Sequence, residues 1–144
     1  QANFWNGDPD IDAVCRMLYK PECKFKKNIF PFFSNRISMF NSQNTLLDRK
    51  VIKDYFLFPH IGRMDDIWAS YYVTAKKYKV IYNEPTVYQQ RNVHNLIKDF
   101  KDEYIGYINS LKLVESLKKN SNTIYNFLPK KSALAFDEWK KITS

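Results

Sequence analysis

The sequence predicts an α/β protein in which short mixed strands are flanked by helices, one of them a long helix near 92–118. Three observations favour this class. Apolar side chains recur at steps of three and four residues over 64–75 and again over 96–117, as on one face of a helix. Between and before these stripes lie short segments rich in aromatic and β-branched residues, which are typical of strands: 37–40, 79–82 and 86–88.

The first third of the chain combines one helix with extended segments. Asp8 followed by Pro9 is typical of an N-cap with proline at the first helical position, and it predicts a helix that runs to about Tyr19. Residues 24–40 are rich in aromatic side chains and interrupted by a proline. We therefore expect one or two short strands there, with 37–40 the better one.

The rest of the chain is predicted to be mainly helical. Thr45 and Asp48 stand at the spacing of a capping box and predict a helix toward Tyr55. A turn at 83–85 separates two predicted strand pieces. From Asn120 onward, the sequence predicts a loop and a last short helix near 134–142.

Composition and charge narrow the class of protein. A chain of 144 residues that is 44% hydrophobic can bury the core of one domain. The net charge of +8 suits a polyanion such as nucleic acid, a nucleotide-sugar or an anionic membrane surface. The basic residues are scattered in pairs and no recognisable nucleic-acid module accompanies them, so nucleic acid is not the favoured partner. No apolar run is long enough to span a bilayer.

Several kinds of site are disfavoured by the residues present. Cys15 and Cys23 have no partners at zinc-ligand spacing and are predicted to be free thiols. The two histidines, His60 and His94, have no serine or cysteine at a spacing that indicates a triad. Three glycines cannot form a glycine-rich phosphate loop.

Carboxylates are the dense chemical groups of this sequence, and they form two constellations. Asp8, Asp10 and Asp12 alternate, so they could coordinate a hard divalent ion or cap and stabilise a helix N-terminus. Asp65 and Asp66 stand in the first turn of a predicted helix, where the helix dipole also favours acids. Both interpretations stay open for each constellation.

The surroundings of Asp65 and Asp66 favour a chemical role. Arg63 precedes them and Trp68 follows closely. This short segment therefore offers a general base, a cation for phosphate or carboxylate, and a large aromatic surface.

Four segments of the chain carry a family resemblance. They are Pro9-Asp10-Ile11-Asp12-Ala13, then Phe40-Asn41-Ser42-Gln43-Asn44-Thr45 with Arg49, then Ile61-Gly62-Arg63-Met64-Asp65-Asp66-Ile67-Trp68-Ala69, and last Val87-Tyr88-Gln89-Gln90-Arg91-Asn92-Val93-His94-Asn95. The second and third resemble the later half of reversibly glycosylated polypeptides, and the first resembles the upstream Pro-Asp-Tyr-Asp-Ala motif of that family. The last is similar to the STELLO-type glycosyltransferase-like proteins.

The resemblance implies part of a GT-A-like, Rossmann-like glycosyltransferase fold. It divides the single domain 1–144 into an acceptor-side region, 1–95, and a helical C-terminal extension, 96–144. It implies a nucleotide-sugar donor, a glycan, protein or small-molecule acceptor, and Mn²⁺ or Mg²⁺ as cofactor. The roles it implies are catalytic for Asp65 and Asp66, substrate-binding for Arg63 and Trp68, and metal-binding for Asp8, Asp10, Asp12 and His94.

The chain departs from the family pattern in two respects. The nucleotide-binding half with its own acidic metal motif is not visible, unless the alternating aspartates replace it. Where the plant-type family has Trp-His, this chain has Tyr88-Gln89, which leaves His94 as the nearest histidine. The chain starts with Gln1, which suggests a processed or excised segment.

One alternative function stays open. The acids would be helix caps, the aromatic residues core, and the lysines of a basic, non-catalytic module would bind nucleic acid or another anionic partner. Free cysteines and the lack of a leader favour a cytoplasmic location, although an excised lumenal domain would look the same.

Overall fold

A computed structural model describes residues 1–144, with the side chain of Lys27 left undescribed. The chain combines helices with a small mixed sheet, so the α/β class is confirmed. The elements in chain order are β1 (Ala2–Gly7), α1 (Ala13–Leu18), β2 (Phe32–Ser34), α2 (Asp65–Ala75), β3 (Val80–Gln89), α3 (Leu96–Lys119) and α4 (Lys130–Thr143). Short 3₁₀ helices occupy Lys27–Ile29, Arg49–Val51, Gly62–Met64 and Ser121–Asn126.

The sheet is built around β3, in the order β1-β3-β2. β1 runs parallel to β3 from Ala2 opposite Tyr82 to Gly7 opposite Gln89, and β2 runs antiparallel to the start of β3. The predicted turn at 83–85 is wrong, because β3 is continuous there. The register with β1 shifts between Asn3 and Trp5, and such an irregularity accommodates a residue like Pro85 that has no N–H to donate.

The other strand predictions were only partly right. Residues 37–40 form no strand, and the strand of this aromatic-rich stretch is β2. β1 was not predicted, because its two asparagines and the Asn6-Gly7-Asp8 run look like turn chemistry. Its polar side chains are instead used to fasten neighbouring loops. Asn6 Oδ1 accepts a hydrogen bond from Phe25 N at 3.0 Å.

Two helix starts differ from the predictions. α1 begins at Ala13 with Asp12 as its N-cap, because Asp12 Oδ1 accepts a hydrogen bond from Cys15 N at 2.9 Å. Asp8 lies outside that helix. The predicted helix from Thr45 is also wrong, since Asp48 caps only the 3₁₀ turn Arg49–Val51.

α2 and α3 are confirmed, but α3 turns a different face to the core than its apolar stripe suggests. Of that stripe only Leu117 is buried, together with Leu113, Glu103 and Gly106, which lie off the stripe. Leu96 and Val114 are partly buried, whereas Phe100, Tyr104 and Tyr107 are 37–55% exposed and Leu111 is 82% exposed. Gly106 lets α3 approach closely, because a β-carbon there would collide with the Met64 side chain.

Two apolar clusters hold the fold together. The larger one lies between α2, α3, α4 and the Ser121–Asn126 helix, with Trp68, Tyr72, Leu113, Ile124 and Phe136 fully buried. The smaller one lies under the sheet and contains Ala2, Phe40, Val73 and Val80. α2 contributes to both, so its position fixes the sheet relative to the helices.

Two further expectations can be compared with the structure. Cys15 and Cys23 are free, as predicted. None of the helices within residues 1–144 is both long and apolar enough to cross a membrane. The GT-A-like fold and the division at residue 95 stay predictions.

Candidate functional site

The loop that follows β1 is fastened to the end of β3. Asp8 N donates to Gln89 O and Gln89 Nε2 donates to Asp8 O, both at 2.9 Å. Gly7 has a φ of +95°, and a β-carbon there would overlap Gln89 O, so only glycine fits this close approach. The loop Asp8-Pro9-Asp10 is therefore held in place by backbone contacts.

Asp10 is the point at which this loop meets two other segments. Its carboxylate forms an ion pair with Arg91, which lies beyond the end of β3. Asn41 Nδ2 lies 3.5 Å from the other carboxylate oxygen of Asp10. Residues far apart in the sequence thus converge on one carboxylate.

The segment that contains Asn41 also holds Asp66. Its Oδ2 accepts hydrogen bonds from Ser42 N at 2.9 Å and from Ser42 Oγ at 3.3 Å. Burial raises the pKa of Asp66, and the negative charges of Asp65 and Asp10 raise it further. The hydrogen bonds from Ser42 oppose this shift, but the net pKa lies above the ordinary value of 3.8.

Tyr55 lies close to the carboxylates of Asp65 and Asp66. Its hydroxyl is buried and has no hydrogen-bond partner among the described side and main chains. Burial raises the pKa of Tyr55, and the charges of Asp66 and Asp65 add to that effect. The hydroxyl therefore stays protonated and can donate a hydrogen bond to a group that enters beside these two carboxylates. No local pattern in the sequence indicated a role for this residue.

A cavity of about 280 Å³ opens beside Asp10. We call it the Asp10 cavity. Its polar side chains include Asn3, Asp10 and Asn41, and its remaining lining is mainly apolar and aromatic: Ala2, Phe4, Trp5, Pro9, Phe25, Met39, Phe40, Ile67 and Tyr82. Few polar groups on an apolar, aromatic wall are typical of sites that orient a small ligand.

The two predicted substrate-binding residues lie elsewhere. Arg63 is turned toward α3, where its Nε donates to Glu103 Oε1 at 3.1 Å and its Nη1 lies 3.4 Å from Asp99 Oδ1. Trp68 is fully buried in the larger apolar cluster, and its Nε1 donates to Ser110 Oγ at 3.1 Å. Neither residue lines the Asp10 cavity, and Asp66 does not line it either, although its neighbour Ile67 does.

The predicted metal ligands do not converge either. Asp8 lies 2.8 Å from Arg16 Nη2, and Asp10 pairs with Arg91. Asp12 caps α1 and accepts a hydrogen bond from Tyr107, while His94 Nδ1 lies 2.9 Å from Asp99 Oδ2. Within residues 1–144, no group of three His, Cys, Asp or Glu side chains is placed to hold a metal ion. For Asp12 the structure favours capping.

Glu103 is a structural residue that the sequence analysis missed. It is 4% exposed, and its carboxylate accepts hydrogen bonds from Ala13 N at 2.7 Å and from Tyr107 Oη at 3.3 Å, besides the contact with Arg63. A buried carboxylate with these partners joins α1, α3 and the segment before α2. A glutamate placed among the apolar residues of a strongly periodic helix was the signal that could have revealed this structural role.

Comparison of the chain with protein-family models, with curated proteins and with solved structures gave no match.

Proposed function

We propose that the chain is the acceptor-side part of a GT-A-type glycosyltransferase that transfers a sugar from a nucleotide-sugar donor to an acceptor hydroxyl. One observation carries this proposal. All four segments that resemble glycosyltransferases meet around Asp10: Asp10 itself, Asn41 and Ser42, Asp66, and Arg91. Structural caps and core residues alone would not require these segments to converge beside a cavity.

Asp66 is the proposed catalytic base. A carboxylate with a raised pKa accepts a proton more readily than an ordinary aspartate, and Ser42 holds its orientation. In the proposed reaction the acceptor oxygen bonds to the anomeric carbon and its proton passes to Asp66. The bond between that carbon and the nucleoside diphosphate breaks, and the electron pair leaves with the diphosphate.

Asp10 and Asp65 support this role electrostatically. Burial raises the pKa of Asp66, and the negative charges of Asp65 and Asp10 raise it further. Asn3 and Asn41 offer amide groups in the cavity wall that can bind the hydroxyls of a sugar. The aromatic lining supplies an apolar surface for the face of the sugar ring.

The residues do not fit the predicted divalent ion. Each of the four predicted ligands contacts another protein group, and they do not form a common site. No step of the proposed reaction therefore involves the metal, and dependence on Mn²⁺ or Mg²⁺ stays a prediction.

A thermal-shift titration tests the proposal. The chain is titrated with nucleoside diphosphates and nucleotide-sugars, each with Mn²⁺ and with a chelator. We expect at least one nucleotide to raise the melting temperature, and we expect Asp66→Asn to alter that response. Glu138→Gln is the control, because it removes an exposed carboxylate on α4.

Two outcomes would count against the proposal. A nucleotide response that is the same in wild type and Asp66→Asn would separate Asp66 from the site. No response to any nucleotide, together with binding of polyanions that weakens steeply with salt, would favour the basic interaction module instead.

A further inference from the structure

A second cavity, of about 590 Å³, lies on the other side of the loop Asp8-Pro9-Asp10. We call it the Tyr88 cavity. Pro9 and Asp10 line the Asp10 cavity, whereas Asp8 and Arg91 line the second one. The ion pair of Asp10 with Arg91 therefore stands between the two cavities. A ligand in the Tyr88 cavity would lie next to the proposed site of transfer.

One hydrogen-bond donor of Arg91 has no partner, within the described part of the chain, at this boundary between the two cavities. Its side chain is 10% exposed, and one terminal nitrogen pairs with Asp10. Its Nε is buried and has no hydrogen-bond partner among the described residues. A buried N–H of a charged group without a partner is unfavourable, so this position favours a ligand that supplies an acceptor.

Acceptors are present in the same wall. Asp8 Oδ1 lies 2.8 Å from Arg16 Nη2, but the contact is an ion pair without hydrogen-bond geometry. Oδ1 is buried, but the Asp8 side chain is 30% exposed, so its carboxylate can accept from a ligand through Oδ2. Glu22 also lines the cavity.

Tyr88 provides a rigid aromatic surface. Its side chain is 66% exposed, yet its hydroxyl donates to Glu22 Oε1 at 2.8 Å. A β-carbon on Gly7 would lie 2.9 Å from ring atoms of Tyr88, so the ring is also placed directly over the strand end. An exposed ring held in this way loses little conformational entropy when a ligand packs on it.

The mixture of groups discriminates between ligand classes. A phosphate or sulfate offers only acceptors, so it can bind Arg16, Lys20 and Arg91 in this lining but leaves the carboxylates of Asp8 and Glu22 without a donor. A sugar hydroxyl both donates and accepts, and it matches a wall that combines carboxylates and guanidinium groups with the amides of Gln89, Gln90 and Asn92. The ring of Tyr88 matches the apolar face of a pyranose.

We propose that the Tyr88 cavity is a glycan-binding subsite, and that the acceptor of the transfer is an oligosaccharide. The acceptor role rests on the proposed function, because it names the substrate of that transferase. The binding of a glycan to Tyr88, Arg91 and Asp8 does not depend on it.

The test measures glycan binding alone, without nucleotide or metal. The chain is applied to an array of neutral and acidic oligosaccharides, and the Kd of each bound glycan is then measured by saturation-transfer NMR. We expect Tyr88→Ala to weaken binding about tenfold and Tyr88→Phe, which keeps the ring, to weaken it less than about threefold. Arg91→Lys should weaken binding by about tenfold or more, through loss of the Nε donor.

Tyr104→Ala is the matched control, because Tyr104 is an exposed tyrosine on α3 outside this cavity. The Tyr88 variants remain informative if Arg91→Lys does not fold, since Tyr88 is largely outside the core. No bound glycan on the array would overturn the subsite. So would a glycan whose Kd is the same in wild type and Tyr88→Ala, or binding limited to sulfated chains and lost with salt.

The two proposals fail in different measurements. Glycan binding without any nucleotide response would support the subsite and remove its role as the acceptor site. A nucleotide response without glycan binding would overturn the subsite and leave the proposed transfer standing.

Discussion

The helical part of the molecule and the part around the sheet are stabilised by different contacts. α2, α3 and α4 enclose large side chains that are fully buried, such as Trp68 and Phe136. Around β1 and β3 the buried apolar cluster is smaller, and loops are also fastened by polar contacts, such as Asn44 Nδ2 donating to Phe4 O at 3.1 Å. We therefore expect substitutions in the first part to change stability, and substitutions in the second to change binding.

The largest stability effect is expected in the helical part. Phe136 is fully buried and packs against the rings of Phe56, Phe58, Tyr72 and Tyr125. Phe136→Ala should lower the free energy of unfolding by about 3–5 kcal/mol, because it leaves a cavity in a close-packed core. Urea denaturation measures this change.

Leu134→Ala is the control on the same helix, because Leu134 is 57% exposed. It should change the free energy of unfolding by less than about 0.5 kcal/mol. Equal losses in the two variants would contradict the described packing of α4.

An intermediate effect is expected at the ion pair of Arg63 with the buried Glu103. Arg63→Met leaves the carboxylate of Glu103 buried without its cation, and it should lower the free energy of unfolding by about 1–3 kcal/mol. The double variant Arg63→Met with Glu103→Gln should recover part of that loss, since the buried charge is then removed. A double-mutant cycle by urea denaturation measures the coupling.

Independent, additive effects in that cycle would show that Arg63 does not stabilise Glu103. A large loss of nucleotide response in Arg63→Met with unchanged stability would point to the substrate-binding role that the sequence predicts. The cycle thus distinguishes a structural arginine from a ligand-binding one.

The smallest stability effect is expected at Asp66. Its pKa is raised in the folded chain, so its contribution to stability is fully present below its ordinary pKa of 3.8 and is lost as pH rises through the folded pKa. The melting temperature of wild type relative to Asp66→Asn should therefore fall as pH increases. Thermal melts of both proteins from about pH 3 to 8 measure the difference.

A difference that rises with pH would mean that the pKa of Asp66 is lowered by its partners, contrary to the described burial. Glu138→Gln again serves as the control, since Glu138 is exposed and paired only with Lys141 in an i,i+3 contact. Its melting temperature should follow wild type at each pH.

Local patterns predicted the helices but not the surfaces they bury. α2 and α3 were found because three- and four-residue steps are visible within one segment. The buried face of α3 depends on which neighbours approach it, and Gly106 allows Met64 to come close there. The aromatic residues of the stripe are 37–55% exposed, so periodicity alone indicated a helix and not its contacts.

The chemistry of the candidate site was predictable in part. Asp10 and Asp66 were singled out as acids in suggestive contexts, and the structure brings them near each other. The placement of Ser42 and Tyr55 beside Asp66 depends on tertiary contacts and could not be seen in the sequence. The same holds for Arg63 and Trp68, whose nearness to Asp65 along the chain does not place them in the cavity.

The parallel pairing of β1 with β3 also bears on how the chain folds. Ala2 lies opposite Tyr82, so this part of the sheet forms only after most of the chain has been brought back to its beginning. Contacts between such distant residues form slowly, whereas the helices join neighbours along the chain. We expect the helical core to form first and the Asp10 cavity to close last. A chain trimmed before Gly7 should then keep its helices and lose the cavity wall that β1 provides.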